Sequence, residues 1–235
     1  MPTLREIAAE RPAAVRVFEK YDLDYCCGGH RPLEEACRER GLSAAALMEE
    51  VEADAANAPE ERDWSKASLA ELIGHIVSKH HAYLNNELPV IEQRMAKVLG
   101  KHGANHSDFL PQLAELFAAL KAELEIHLRK EELILFPAIE ELEAAAEEGR
   151  RAMPVPFGTV KNPIRMMEHE HDGAGAALRS ARELTRGYAP PEDACPTFRA
   201  LYHEMEALER DLHAHIHLEN NILFPRASEL EAKVR

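Results

Sequence analysis

The chain has 235 residues, with 28 Lys and Arg against 42 Asp and Glu and a formal net charge of −14. A chain of this length buries roughly 70% of its unfolded surface, so its core needs no disulfide staples, and it accommodates one large domain or a small one beside a medium one. The acidic balance argues against a phosphate-binding surface for nucleic acid, and no apolar run approaches the ~20 residues of a membrane span.

The opening MPTLREIAAE carries no apolar stretch of the secretory kind. Cysteines at 26, 27, 37 and 195 fit neither a zinc knuckle nor a secreted disulfide framework. A reducing cytoplasm is the expected compartment.

Helical periodicity runs along nearly all of the chain, so an all-α fold is expected. Residues 1–57 read as a small helical N-terminal domain. In it LREIAAERPAAVRVFEKY forms one amphipathic segment, DLDYCCGGHRP a turn, and LEEACRERGLSAAALMEEVEA further helix. The polar stretch EADAANAPEERD, residues 52–63, contains proline and reads as linker.

Residues 64–235 hold four longer helices. The first opens on a capping box of Ser68 and Glu71 and runs towards Pro89, its pattern continuing through VIEQRMAKVL. The second runs from about Pro111 to beyond Phe136. The third begins with Asn162 as N-cap and Pro163 at the first helical position. The fourth covers roughly Pro196 to Phe224. Helices of about 20 residues span about 30 Å each, the size for a four-helix bundle.

One phrase occurs twice: HLRKEELILFP at 127–137 and HIHLENNILFP at 215–225. Residues four apart on a helix lie about 40° apart on one face and about 6 Å along the axis, so His127 pairs with Glu131 and His215 with Glu219. Leu120, Leu124 and Ile134 flank the first pair at helical spacing, and Leu208, Leu212 and Ile222 flank the second. Both pairs therefore interrupt a buried stripe, where a histidine and a carboxylate are costly without partners.

The other two helices carry matching histidines, His81 with Val77 and Leu88, and His171 with Met167 and Leu178. The intervals agree, 46 residues from His81 to His127 and 44 from His171 to His215. The chain reads as two copies of one hairpin. Four imidazoles and two carboxylates suit a two-metal site in which each ion takes two histidines and both glutamates bridge. An oxo or hydroxo bridge then leaves an open position on each ion. Iron fits this donor set best, and the lack of nearby cysteine argues against structural zinc.

The other residues have plainer readings. His80 also has apolar neighbours, but the match to the third helix favours His81. His169, His213 and His217 read as surface or supporting groups, His75 and His203 as surface. By spacing alone His102 and His106 are solvated loop histidines. The Leu-Phe-Pro endings read as packing at the bundle's end, with proline terminating the helix or redirecting it. DYCCGG is balanced between a Gly-Gly turn with two buried thiols and an exposed dithiol able to take up metal, NO or an oxidising equivalent. Cys37 offers a third thiol nearby, and Cys195 reads as incidental.

VFEKYDLDYCCGG followed by two His-x-x-x-Glu…LFP phrases resembles the RIC (repair of iron centres) proteins of the YtfE/ScdA type, over nearly the whole chain. The resemblance implies a hemerythrin-like up-down four-helix bundle behind a short domain bearing Cys-Cys-Gly-Gly. It implies iron ligands at His81, His127, Glu131, His171, His215 and Glu219. It adds a histidine between the first two long helices, His102, with His106 as the alternative. Cys26 and Cys27 match the family's vicinal cysteines, the expected reactive pair.

The function so implied is cytoplasmic repair of iron-sulfur clusters damaged by nitric oxide or oxidants, by iron donation or NO handling at an oxo- or hydroxo-bridged di-iron centre. Damaged iron-sulfur proteins, NO, O2 and a second copy of the chain are the implied partners. Two readings stand beside it. One is a di-iron NO reductase. The other is a hemerythrin-like O2 or NO carrier or sensor, which needs the bundle but not DYCCGG.

Overall fold

The structure is a computed structural model and describes residues 2–57 and 62–234. Among these residues the chain forms eight helices and no strand, a helical bundle with a small helical N-terminal region. The helices are α1 (Leu4–Glu10), α2 (Pro12–Lys20), α3 (Leu33–Glu39), α4 (Ala44–Asn57), α5 (69–102), α6 (110–147), α7 (Lys161–Leu184) and α8 (196–234). Three of the long helices contain one wide π-helical turn each: Ile76–His81 in α5, Glu131–Leu135 in α6 and Leu218–Leu223 in α8.

Several expected boundaries move. The segment 4–21 is two helices, because Arg11 is extended (φ −134°, ψ 92°) ahead of Pro12. The residue before a proline is pushed out of the helical region by the ring. Residues 52–57 of the expected linker belong to α4, and 58–61 lie outside the described residues. α7 starts at Lys161, with Asn162 already inside it and bonded through Nδ2 to the Phe157 carbonyl (2.9 Å). The Ser68–Glu71 capping box is present, each residue's side chain taking the other's backbone N–H at 3.1 Å. α5 passes through Pro89 to His102.

The chain divides into two compact units, one of Met1–Gly74, Ala138–Ile164 and His213–Arg235, the other of His75–Pro137 and Arg165–Leu212. In the first unit, Leu4, Ile7, Val17, Phe18, Leu23, Tyr25, Leu33, Leu47 and Val51 form a core that also takes in Ile216 of α8. Thr3 and Glu6 cap α1 reciprocally. Glu143 on α6 accepts the backbone N–H groups of Leu69 and Ala70 (2.6 and 2.8 Å), satisfying donors at the start of α5.

In the second unit, Leu84, Leu88 and Ile91 of α5 pack with Leu113, Phe117 and Leu124 of α6, Leu178 of α7 and Phe198, Leu201 and Leu208 of α8. Each such side chain contributes roughly 1.5–3 kcal/mol on burial, which fixes the helix faces that carry the polar groups described next.

Candidate metal centre

In the second unit three histidines converge on one glutamate. His81 ends the wide turn of α5, Glu131 opens that of α6 one helical turn beyond His127, and His171 projects from α7. All four are buried, Glu131 completely. The two oxygens of Glu131 face different imidazoles: Oε2 lies 3.4 Å from His81 Nε2, and Oε1 lies 3.3 Å from His127 Nε2. His171 Nε2 stands 3.0 Å from His127 Nε2.

The outward nitrogens are pinned by carboxylates. His81 Nδ1 is 2.7 Å from Glu132, and His127 Nδ1 is 2.9 Å from Glu170, which is also paired with Lys130. Glu170 is partly buried, which raises its pKa, but Lys130 and His127 outweigh that and hold it below the usual carboxylate value. An ionised carboxylate only accepts hydrogen bonds. A carboxylate beside Nδ1 favours the tautomer protonated there, and in that tautomer Nε2 offers a lone pair on the side that faces Glu131. Inward lone pairs with carboxylate-anchored outer nitrogens are how metal-binding imidazoles are held.

In the first unit α8 presents His215 and Glu219, both buried, with His215 Nε2 3.1 Å from Glu219 Oε1. His127, Glu131 and His171 offer donor atoms within 4.8 Å of one another, as do His215 and Glu219. Imidazole with carboxylate and no thiolate suits iron, so the donor chemistry fits the metal expected.

The wide turns explain the repeated Leu-Phe-Pro. Phe136 N–H donates to the Glu131 carbonyl and Phe224 N–H to the Glu219 carbonyl, each five residues back. Pro137 and Pro225 follow directly and have no N–H to offer, so the ladder skips at that point instead of ending. Both helices continue, to Glu147 and Val234. The expectation of a helix end is corrected: the tripeptide closes the turn that opens at or beside the glutamate. Ile134, placed in the buried stripe by spacing, is 48% exposed.

His102 does not join this cluster. It closes α5, 21 residues beyond His81, which is about 30 Å along a helix. Its Nε2 lies 3.3 Å from Cys195 Sγ, and His106 Nε2 lies 3.0 Å from Asp193. Neither residue can share an ion with His81, so the histidine added between the first two long helices is corrected for both candidates. His80 is as buried as His81 but bonds Asp211 (2.9 Å). His169 and His203 are exposed, and His75 is half-buried.

The Cys-Cys-Gly-Gly turn lies within the first unit. Asp24 Oδ1 accepts the N–H groups of Cys27 (3.0 Å) and Gly28 (2.8 Å). A Cβ on Gly29 would stand 2.3 Å from the Tyr25 carbonyl oxygen, so the second glycine is required by close approach. Cys26 is buried and Cys27 half-buried, their sulfurs 3.8 Å apart and not joined in a disulfide. The hydrogen bond with Cys27 and burial push Cys26 well above the usual thiol range.

This turn is fastened to α8. Asn221 Nδ2 donates to the Tyr25 carbonyl (2.9 Å) and sits 2.9 Å from His217 Nδ1. The Tyr25 hydroxyl donates to Glu19, which His213 also meets, both at 2.8 Å. The Tyr25 ring stands edge-on to His217, whose pKa burial pushes down to about 4. His217 is thus a core residue and not a surface group.

Sequence reasoning missed Glu132, Glu170 and Asn221. The two glutamates adjoin Glu131 and His171 in sequence but lie off the buried stripes, and only tertiary packing shows which imidazole each one meets.

Residues 72–227 match the hemerythrin HHE cation binding domain, and residues 2–55 match ScdA_N, described as a domain of unknown function (DUF542). Proteins named iron-sulfur cluster repair protein YtfE are similar along almost their whole length. That of Pectobacterium atrosepticum is 39% identical over 225 residues, 96% of each chain. Those of Citrobacter koseri and Escherichia coli O157:H7 are each 40% identical over 225 residues, 95% of each chain. The chain belongs to the YtfE family.

The fold is therefore the hemerythrin-type bundle with the YtfE family's N-terminal domain, and its buried His and Glu groups suit iron. No helix among the described residues is long and apolar enough to cross a membrane.

Proposed function

We propose that this protein repairs damaged iron-sulfur clusters, using two irons held by His81, His127, Glu131, His171, His215 and Glu219. The observation that carries the reading is Glu131, fully buried with its two oxygens facing two different imidazoles. A carboxylate so disposed would serve one ion held on the His81 side and another held on the His127–His171 side. Glu219 takes the equivalent role in the second copy of the repeat, a pairing supported by one cation-binding family spanning residues 72–227.

When bound, the irons supply exchangeable ferrous ion and an open position for a diatomic ligand such as NO or O2. The chain's own work is to present lone pairs from buried imidazoles, to fix them through Glu132 and Glu170, and to exclude water. Cys26 and Cys27 are the thiols we assign to passing iron on or taking up NO. Cys27 is the less buried residue of the pair. Damaged iron-sulfur proteins of the cytoplasm are the partners in this reading, and a homodimer the assembly.

The test is recovery of an NO-inactivated iron-sulfur dehydratase. The iron-loaded protein is expected to restore activity above an equal amount of free ferrous iron. Equal recovery by free iron would sink the repair reading. Nitrous oxide evolved from NO-treated ferrous protein would favour the NO reductase instead. Repair unchanged in Cys26→Ser with Cys27→Ser would remove the dithiol from the mechanism.

A further inference from the structure

The second unit carries another group of metal-ligating side chains at the end of α5 away from His81. His102 closes α5 and His106 lies in the turn after it. Asp193 and Cys195 lie in the turn that leads into α8. His102, His106 and Asp193 offer donor atoms within 4.8 Å of one another. Cys195 Sγ is 3.3 Å from His102 Nε2, and His106 Nε2 is 3.0 and 3.2 Å from the two Asp193 oxygens. The Phe198 ring backs both imidazoles, its centroid 5.3 Å from that of His102 and 5.8 Å from that of His106.

We propose that His102, His106, Asp193 and Cys195 form a second metal site, for a single zinc ion, separate from the iron centre.

The donor chemistry separates the two sites. The iron-type cluster holds only imidazole and carboxylate, whereas this group adds a sulfur, and thiolate with imidazole selects zinc over magnesium, calcium and manganese. On one tetrahedral ion with Zn–N of about 2.1 Å and Zn–S of about 2.3 Å, donors stand about 3.4–3.7 Å apart. The His106–Asp193 and His102–Cys195 pairs stand at 3.0 and 3.3 Å, and Cys195 Sγ has to swing in to join the other three, whose donors already lie within 4.8 Å of one another.

An ion pair of His106 with Asp193 accounts for two of the four groups. It does not account for Cys195, which stands ahead of Pro196 at the start of α8, where the backbone N–H of Phe198 and then the His102 imidazole draw its pKa down to about 7. A helix N-terminus favours the thiolate, which is the ligating form. Binding displaces whatever thiol proton remains, and that proton goes to solvent. His102 is buried, but His106 and Cys195 are half-buried and Asp193 exposed, so an ion has a way in. Once bound, it ties the turn between α5 and α6 to the turn between α7 and α8, joining the two hairpin repeats.

The test uses the full-length, iron-loaded protein with Cys26, Cys27 and Cys37 changed to serine, so that Cys195 is the only thiol. Cobalt(II), the spectroscopic substitute for zinc, is added anaerobically while iron content is followed. The expected result is one cobalt per chain, a thiolate-to-metal band in the difference spectrum, displacement by zinc, and no loss of iron. The band should vanish in Cys195→Ser, a change the helix start tolerates because serine is a good N-cap. Asp193→Asn and His106→Ala should each weaken binding by about tenfold or more. No band, equal cobalt binding by the serine variant, or cobalt entering only as iron leaves would each overturn the site.

Discussion

The two copies of the repeated phrase share their chemistry but differ in what covers them. In 127–137, Leu133 is 75% exposed and Ile134 48% exposed. In 215–225 the corresponding residues are Asn221, which clamps the Tyr25 carbonyl, and Ile222, which is only 6% exposed. Arg129 of the first copy corresponds to His217, buried under Tyr25 in the second. Histidine, glutamate and the closing Ile-Leu-Phe-Pro are held constant, while residues 128–130 and 132–133 differ from their counterparts and are fitted to the surface they meet. The second copy is the one onto which the Cys-Cys-Gly-Gly turn is fastened.

The largest expected effect treats the copies alike. Glu131→Ala and Glu219→Ala should each abolish stable iron binding, measured as iron per chain after anaerobic gel filtration. Retention of both irons by Glu131→Ala would show that its carboxylate is not a bridge.

The next effect should appear in the second copy alone. The folded chain holds His217 neutral to about pH 4, whereas an unfolded histidine takes its proton near pH 6.5. The unfolded chain therefore binds the proton first, and this contribution is complete above about pH 6.5 and lost as pH falls towards 4. Over that window it amounts to about 3 kcal/mol. In urea titrations of iron-free protein, His217→Gln should be less acid-sensitive than the parent by that order, and Arg129→Gln should not. Parallel pH curves for parent and His217→Gln would contradict the assignment.

Outer carboxylates come third. Glu132→Gln and Glu170→Gln should weaken iron retention by about 10–100-fold in chelator competition. Smallest is the paired truncation at equivalent positions. Asn221→Ala removes the clamp on Tyr25 and should cost about 1–2 kcal/mol, whereas Leu133→Ala, largely exposed, should stay within about 0.5 kcal/mol. Equal costs would erase the distinction between covered and open copies.

The buried histidines and glutamates were legible because a duplication displays its constraints twice. A lone buried histidine on a helical stripe says little, but four at matched intervals, two followed by glutamate, constrain one another. Glu132 and Glu170 were not legible, since a helical wheel shows which face a residue occupies but not which imidazole comes to meet it. The histidine between the first two long helices was misjudged because nearness in sequence hides the full length of α5. Pro137 and Pro225 were read as stops because a proline normally ends the helical ladder, and the wide turn that accommodates it leaves no trace in the apolar pattern.

That wide turn bears on how such a centre could be transplanted. A designer grafting His-x-x-x-Glu onto a straight helix would carry over the five residues that hold the metal-binding groups. Here the glutamate's own carbonyl is held by the phenylalanine N–H five residues later, with proline next. The smallest portable unit is therefore the eleven-residue phrase 127–137, and a scaffold that forbids an irregular turn would misdirect the carboxylate.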